Sequence, residues 1–330
     1  MREISGVHPT AIPDDVLASH EPVVLRCLVA QWPAVTAGLQ SVQGVCAYLQ
    51  TFCGASSVGL WRAAPEVEGR FFYNHDMTGF NFEPQQSKLS TLLDELQGLQ
   101  SQARPCALYV GSTTVDTCLP GFRDANDLVL GNRSALASIW IGNRTRIAAH
   151  HDLPDNLACV VAGHRRFTLF PPSELGNLYV GPLDFTPAGQ AISLVDFAQP
   201  DLHRFPNFPQ AMARAQVVEL GPGDAVFIPS MWWHHVEALD TFNVLVNYWW
   251  RQSPAHMDSP INALLLAMLS VRDLPAQQRQ AWRQLFDHYV FDADQKSASH
   301  IPWAAQGVQR SMDPDAARML RARLLRSLNR

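Results

Sequence analysis

Between residues 106 and 250 the sequence alternates short apolar runs with turn residues. Of all the features of the sequence, this pattern constrains the fold most. Most of the runs are rich in Val, Ile, Phe and Trp, which is typical of strands. Short strands with Gly and Pro turns and no long intervening helix predict a sandwich or barrel of the jelly-roll type. The runs are CALYVGS (106–112), ALASIWIG (135–142), NLACVVAG (156–163), RRFTLFPP (165–172), AQVVELGPGD (215–224), AVFIPS (225–230) and FNVLVNYWW (242–250).

The first hundred residues differ and indicate an α/β lead-in. The β-branched run EPVVLRCLV, residues 21–29, predicts a strand. Residues 41–52 and 89–99 carry apolar side chains at helical spacing. We expect Ser90 to cap the N-terminus of the second helix.

After Pro254 helical spacing returns in three segments: 259–271, 275–291 and 312–328. Asp313 is a predicted N-cap, and Pro314 suits the first turn that follows it. The last helix has one apolar stripe, formed by Leu320, Leu324 and Leu328. We therefore expect a β-rich domain over residues 1–254, including the α/β region, and a helical region over 255–330.

Composition narrows the class of protein. The 330-residue chain is 47% hydrophobic and 17% charged, which is enough apolar material for a large core. A net charge of −5 argues against a nucleic-acid partner. No signal peptide and no apolar run long enough for a membrane span is apparent. Six scattered cysteines without CxxC spacing predict reduced thiols, so we expect a cytoplasmic protein without a membrane partner.

The stretch AAHHDLPDN, residues 148–156, holds the first candidate metal ligands. On a strand, residues two apart point to one face, so His150 and Asp152 can reach one ion while His151 points away. An isolated His-x-Asp is common by chance. The motif therefore becomes a metal site only if a third ligand folds back beside it.

A third ligand is available in GPGDAVFIPSMWWHHVE, residues 221–237. The jelly-roll arrangement brings distant strands side by side, so His234 or His235 can lie next to the His-x-Asp motif. Two histidines and one carboxylate on one face are the set favoured by non-haem Fe(II), and they leave coordination positions open. Spacing does not decide between the two histidines, and His235 is equally well interpreted as a core residue.

Three ordered blocks resemble the JmjC/cupin-like Fe(II)- and 2-oxoglutarate-dependent oxygenases, in particular the factor-inhibiting-HIF group of asparaginyl hydroxylases. The resemblance covers about residues 20–250, and its blocks are residues 150–172, 200–208 and 221–250. It implies a double-stranded β-helix of the JmjC type. It also implies iron ligands at His150, Asp152 and His234.

The same resemblance implies which residues hold 2-oxoglutarate. Arg165, fifteen positions after His150, matches a basic residue, usually lysine, that binds the distal carboxylate. Arginine keeps the charge but is longer and planar, so the pocket must differ in shape. Tyr109 matches a tyrosine that shares this carboxylate, and Asn156 and Asn247 match two asparagines of the pocket.

One position departs from the family pattern. Ile147 stands where the family commonly has a threonine that hydrogen-bonds the co-substrate. Thr145 replaces that hydroxyl only if the preceding loop is shifted. This departure leaves the threonine contact to 2-oxoglutarate open.

The implied function is a hydroxylase that uses Fe(II), 2-oxoglutarate and O₂ to oxidise an unactivated C–H bond on a protein or peptide side chain. An alternative keeps this chemistry on a small molecule or a modified tRNA base, and another is a non-catalytic metal-binding cupin. In the family a C-terminal helical region forms a homodimer. We therefore expect dimerisation through about residues 259–328, which would cover the leucine stripe.

Overall fold

A computed structural model of the chain describes residues 1–294 and 296–329. The chain divides into two compact units, residues 1–251 and 252–330. The first unit contains the strands, and the second is helical among its described residues.

The first unit is built on two sheets. The strands are β1 (Arg2–Ser5), β2 (Val23–Arg26), β3 (Ser57–Ala63), β4 (Arg70–Phe71), β5 (Glu83–Lys88), β6 (Ala107–Thr114), β7 (Leu136–Gly142), β8 (Arg146–His151), β9 (Asp155–Ala162), β10 (Arg165–Phe170), β11 (Gln216–Leu220), β12 (Ala225–Ile228), β13 (Trp233–Ala238) and β14 (Asn243–Trp250). The larger sheet has the order β1-β2-β12-β9-β14-β7-β6-β3-β5, and the smaller has the order β11-β10-β13-β8-β4.

Consecutive strands repeatedly change sheet, which produces the double-stranded β-helix. The strands β7 and β9 lie in the larger sheet, whereas β8 and β10 lie in the smaller. Because the chain crosses between the sheets at each step from β7 to β10 and again from β11 to β14, residues far apart in sequence become neighbours. The predicted jelly-roll fold with additional helices is confirmed.

The strand β9 shows why the central strands are apolar throughout. All eight of its residues are buried. Ala158 and Val160 pack between the two sheets with residues of the smaller sheet such as Phe167. Leu157 and Cys159 face the opposite side, where they pack in a second core that includes the N-terminal helices. Successive residues of a strand point to opposite faces of the sheet. A strand in a sheet that is covered on both faces therefore needs apolar side chains at every position.

The helices of the first unit are α1 (Asp14–Leu17), α2 (Pro33–Gln40), α3 (Val42–Gln50), α4 (Leu89–Leu99), α5 (Val115–Cys118) and α6 (Phe208–Ala213). The predicted cap at Ser90 is wrong, because α4 begins at Leu89 with Lys88 at the N-cap position. The strand β5 ends at Lys88 and continues directly into α4. Leu89 is 2% exposed, so core packing rather than a hydroxyl cap sets this helix start.

The second unit contains α7 (Pro260–Ser270), α8 (Ala276–Phe286) and α9 (Pro314–Leu328), and a π-helical turn follows α8. These three helices match the predicted segments. The predicted cap at Asp313 is confirmed, because its carboxylate accepts a hydrogen bond of 2.8 Å from the backbone N–H of Ala316. Among the described residues, no helix is long and apolar enough to cross a membrane.

Candidate metal and co-substrate site

Two neighbouring strands of the smaller sheet bring the predicted metal ligands together. His150 near the end of β8 is paired across the sheet with His234 of β13. Their ring centroids lie 4.3 Å apart. Asp152 follows directly after β8, and one donor atom from each of the three residues lies within 4.8 Å of the others. The antiparallel register therefore supplies the two-histidine, one-carboxylate cluster.

Backbone carbonyl groups fix the orientation of both imidazole rings. The Nδ1 of His150 lies 2.9 Å from the carbonyl oxygen of Ala148. The Nδ1 of His234 lies 3.1 Å from the carbonyl oxygen of Trp232. Because a carbonyl only accepts, each Nδ1 carries the proton and each Nε2 keeps a free lone pair. The Nε2 of His234 lies 3.5 Å from Oδ2 of Asp152, so the lone pair of His234 faces the cluster.

The protonation states suit metal binding. Burial, reinforced by the nearby His234, lowers the pKa of His150 to about 4, so its imidazole is neutral at pH 7. Burial alone would raise the pKa of Asp152, but its interactions with the adjacent imidazole of His234, and to a smaller extent with that of His150, lower it overall. Neutral imidazole and ionised carboxylate are the forms that bind a metal.

His235 belongs to the other face of β13. Its ring packs against Phe197, with centroids 4.4 Å apart. Burial lowers the pKa of His235 to about 3. The alternation along β13 therefore places His234 in the cluster and His235 in apolar packing.

Beside the cluster lies an inner cavity with Arg165 in its wall. Arg165 is 4% exposed, and its Nε has no hydrogen-bond partner among the described residues. Burial lowers its pKa to about 10, partly offset by Tyr109, so the guanidinium remains charged at pH 7. Burial raises the pKa of Tyr109 above its usual value, and its phenol is neutral. Among the described residues this buried cation forms no salt bridge, although Asp152 lies in the wall of the same cavity.

The two predicted asparagines line the same cavity and contact each other. The Nδ2 of Asn247 donates a hydrogen bond of 3.0 Å to Oδ1 of Asn156. The indole Nε1 of Trp140 donates a hydrogen bond of 2.7 Å to Oδ1 of Asn247. The strand β14 pairs with both β7 and β9, which explains how these three residues meet.

Ile147 and Thr145, the two residues considered for the contact that a threonine makes in the family, lie in different surroundings. Ile147 contributes an apolar side chain to the wall of the cavity. Thr145 is buried in the turn between β7 and β8, where its carbonyl accepts a hydrogen bond of 2.8 Å from the N–H of Ala238. In the part of the chain that the structure describes, Thr145 lines neither of the two cavities around the cluster. The structure therefore does not bring Thr145 to the site.

A second, larger cavity of about 290 Å³, called the outer cavity below, also borders the cluster. It shares six wall residues with the inner cavity, and His150 and Asp152 are among them. The metal-ligand cluster therefore lies at the junction of two chambers. The outer wall is mainly apolar and aromatic, and its large apolar and aromatic side chains are Trp61, Phe71, Tyr109, Trp140, Ile147, Ile192 and Trp249.

Sequence reasoning missed three residues of the site. Trp140 and Trp249 line both cavities, and Gln190 donates a hydrogen bond of 3.2 Å from Nε2 to Oδ1 of Asp152. Period-two alternation could have found Trp249, because it lies two residues after Asn247 on the same strand. Gln190 lies outside the strands and helices, and we find no sequence signal for it.

Fold and site together define a double-stranded β-helix protein with a facial cluster of two histidines and one carboxylate. A family model described as a cupin-like domain matches residues 9–256. The chain belongs to this cupin-like family, in which the JmjC-type proteins fall. The predicted family is therefore confirmed.

Three relatives illustrate the similarity. "Lysine-specific demethylase JMJ31" of Arabidopsis thaliana is 35% identical over 152 residues, which is 44% of this chain and 26% of the relative. "HSPB1-associated protein 1" of Homo sapiens is 32% identical over 157 residues, 46% of this chain and 31% of the relative. "tRNA wybutosine-synthesizing protein 5" of Danio rerio is 36% identical over 106 residues, 32% and 29% respectively. The matches span about a quarter to a third of these relatives.

Proposed function

We propose that this protein is an Fe(II)- and 2-oxoglutarate-dependent oxygenase that hydroxylates an unactivated C–H bond on a protein or peptide side chain. One observation carries the proposal: the cluster of His150, Asp152 and His234 borders two cavities, a smaller one whose wall holds a buried arginine without a salt bridge among the described residues, and a second, larger one. This arrangement separates a site for an anionic co-substrate from a site for the substrate.

The donor set fits Fe(II). Two Nε2 atoms with free lone pairs and one ionised carboxylate form the facial triad that leaves positions open on the metal. Hydrogen bonds to the outer atoms of metal ligands are typical of such sites. Here Gln190 donates to Asp152, and backbone carbonyls hold the two histidines. When bound, the iron together with 2-oxoglutarate supplies the oxidation, in which O₂ gives one oxygen atom to the substrate and one to succinate as CO₂ is released.

The inner cavity fits a dicarboxylate. Arg165 would pair with the distal carboxylate of 2-oxoglutarate, and the Tyr109 hydroxyl lies in the same wall. A guanidinium binds a carboxylate with two parallel hydrogen bonds, which gives affinity and orientation. Ile147 places an apolar group where the family has a hydroxyl. We propose that the bidentate arginine compensates for this missing hydrogen bond.

The outer cavity supports a protein or peptide side chain as the substrate. Among the described residues its wall contains no lysine or arginine, which gives a nucleic-acid phosphate no partner there. A volume of about 290 Å³ with aromatic walls suits one side chain or a small molecule. A small-molecule substrate or a modified base of the kind suggested by the wybutosine-protein name remains the alternative.

Demethylation is a second candidate reaction on the same site. Trp61, Phe71 and Trp249 face the outer cavity, and aromatic walls also bind methylated ammonium groups. The name of the Arabidopsis relative, a lysine-specific demethylase, points to the same chemistry. Oxidation of a C–H bond next to nitrogen releases formaldehyde instead of leaving a stable alcohol.

A peptide and metabolite screen tests the proposal. The protein is supplied with Fe(II), 2-oxoglutarate and O₂, and succinate and product mass are measured. A gain of 16 Da supports hydroxylation, whereas a loss of 14 Da with formaldehyde supports demethylation. Asp152→Ala is the control and should form no succinate. If neither substrate-dependent nor uncoupled succinate appears with the unmodified protein, the non-catalytic cupin is the correct interpretation.

We also propose that residues 255–330 form a homodimerisation region. Leu324 is 41% and Leu328 is 53% exposed in the single chain. An exposed apolar stripe on a helix is typical of an interaction surface. A two-fold pairing of this region with a second copy would cover it.

A further inference from the structure

The wall of the inner cavity contains a directed chain of hydrogen bonds. Trp140 donates from Nε1 to Oδ1 of Asn247 over 2.7 Å. Asn247 donates from Nδ2 to Oδ1 of Asn156 over 3.0 Å. Asn247 is 1% and Asn156 is 6% exposed, so this chain is buried.

The direction of the chain depends on Trp140. An asparagine amide can rotate by half a turn, which exchanges its donor and acceptor ends with almost no change of shape. An indole N–H can only donate. Asn247 must therefore turn its oxygen toward Trp140 and its NH₂ group toward Asn156. Asn156 must then accept with its oxygen, which leaves its own NH₂ group unused.

The unused NH₂ group of Asn156 belongs to the inner cavity. Asn156 and Arg165 both line this cavity. Among the described residues, the structure contains no acceptor for Nδ2 of Asn156. Arginine has donors and no acceptor. These two polar side chains therefore present only N–H groups, which match an ionised carboxylate and mismatch a protonated acid or an amide donor.

We propose that Trp140 is a positioning residue that makes the inner cavity a receptor for carboxylate anions by fixing the direction of the Asn247–Asn156 pair. This inference rests on the proposed function, because it takes 2-oxoglutarate as the anion. Trp140 acts through the two amides and not through the metal ligands.

Packing around the indole supports the assignment. A Cβ atom at Gly111 would lie 3.0 Å from Cε1 of Tyr109 and 3.3 Å from Cζ3 of Trp140. Glycine at this position therefore gives both rings the space that they occupy. Trp140 also contacts Trp249 edge-to-face, with ring centroids 5.6 Å apart. The indole is held on two sides, so its N–H has a defined direction.

Trp140→Phe tests the inference, and Trp249→Phe is the matched control. Both tryptophans line the inner cavity, but Nε1 of Trp249 is buried and has no hydrogen-bond partner in the described part of the chain. Titration calorimetry of 2-oxoglutarate against the Mn(II)-loaded protein without O₂ gives the Kd. We expect Trp140→Phe to weaken 2-oxoglutarate binding by roughly 5- to 30-fold, as expected for the loss of one buried hydrogen bond. Trp249→Phe should weaken 2-oxoglutarate binding clearly less. Neither substitution should alter the Kd of Mn(II).

The possible outcomes are distinct. If the unmodified protein binds Mn(II) but not 2-oxoglutarate, the proposed function is wrong. If the unmodified protein binds 2-oxoglutarate, two results would refute only the role of Trp140. One is an equal loss of 2-oxoglutarate affinity in both variants, and the other is an unchanged affinity in Trp140→Phe. A second measurement covers a Trp140→Phe variant that does not fold. In the Zn(II)-loaded unmodified protein, 2-oxoglutarate should shift the NMR signals of the Asn156 side-chain NH₂ group, and unshifted signals would refute the proposed direction.

Discussion

At the scale of single residues, strand alternation decides the site. His234 and His235 have the same chemistry and adjacent positions, and spacing along the sequence left both open as the third ligand. The register of β13 against β8 pairs His234 with His150. His235 packs against Phe197 on the other face. Choosing between the two residues needed the three-dimensional pairing of strands, which local sequence does not encode.

The first residue-scale prediction separates these two histidines. His234→Ala should abolish Fe(II)-dependent succinate formation and greatly weaken metal binding, because it removes one of three ligands. His235→Ala should keep the metal, because this side chain lies on the opposite face of β13. Metal content after dialysis, measured alongside succinate release, checks both variants. Retention of iron by His234→Ala together with its loss from His235→Ala would reverse the assignment.

The second residue-scale prediction concerns Arg165. Arg165→Ala removes the cation that we pair with the distal carboxylate and leaves that charge uncompensated in a buried cavity, a loss of roughly 2–5 kcal/mol. The KM for 2-oxoglutarate should rise by about 30-fold or more. Iron affinity should change little, because Arg165 does not belong to the ligand cluster.

Arg166→Ala is the control for the Arg165 variant. Arg166 is adjacent in β10, but its side chain is 40% exposed and pairs with Glu219 at 2.6 Å. It therefore lies on the opposite face from the inner cavity. A KM that is unchanged in Arg165→Ala, or that rises equally in Arg166→Ala, would show that another residue binds the co-substrate.

At the scale of secondary-structure elements, the sequence predicted the strands that are apolar and the helices with clear periodicity. The strand β5 was not predicted, because Glu83–Lys88 reads EPQQSK and contains no β-branched residue. It pairs with β3 at the edge of the larger sheet, where exposed polar side chains are tolerated. Pairing with a neighbour, rather than local propensity, defines this element.

The turn between β9 and β10 gives an element-scale prediction. Gly163 has φ of +73°, and a Cβ atom there would collide with the side-chain oxygen of Asn243. Gly163→Ala should therefore lower the free energy of unfolding by at least about 2 kcal/mol, from backbone strain and the clash. Because Arg165 follows two residues later, 2-oxoglutarate affinity should fall as well.

Gly98→Ala is the matched control for this turn. Gly98 lies in α4, and a Cβ atom there would have no described residue within 4 Å beyond its own helix backbone and chain neighbours. Alanine favours the helix over glycine, so the stability should stay equal or rise by up to about 1 kcal/mol. Urea denaturation of both variants checks the pair. A Gly163→Ala protein as stable as the unmodified chain would contradict the strain argument.

At the scale of the whole molecule, the order of motifs along the chain predicted the family and the fold. It did not predict the inner and outer cavities. The inner and outer cavities combine side chains from nine strands (β3, β4, β6, β7, β8, β9, β10, β13 and β14) with the segment around Gln190. Trp61 and Phe71 come from the α/β lead-in, which the sequence assigned no role in the site. Cavities arise where several elements fail to fill space, so no single stretch of sequence specifies them.

The last prediction concerns assembly. The helix α9 carries the predicted stripe, and Leu324 and Leu328 are exposed on the single chain. Leu324→Arg places a charge in the centre of this stripe, so it should shift a homodimer toward monomer at micromolar concentration. Arg326→Ala is the control, because its position is about 200° around the helix from Leu324. Light scattering coupled to size exclusion measures the masses. A monomeric unmodified protein would refute the dimer, and the leucine stripe would then need a different partner.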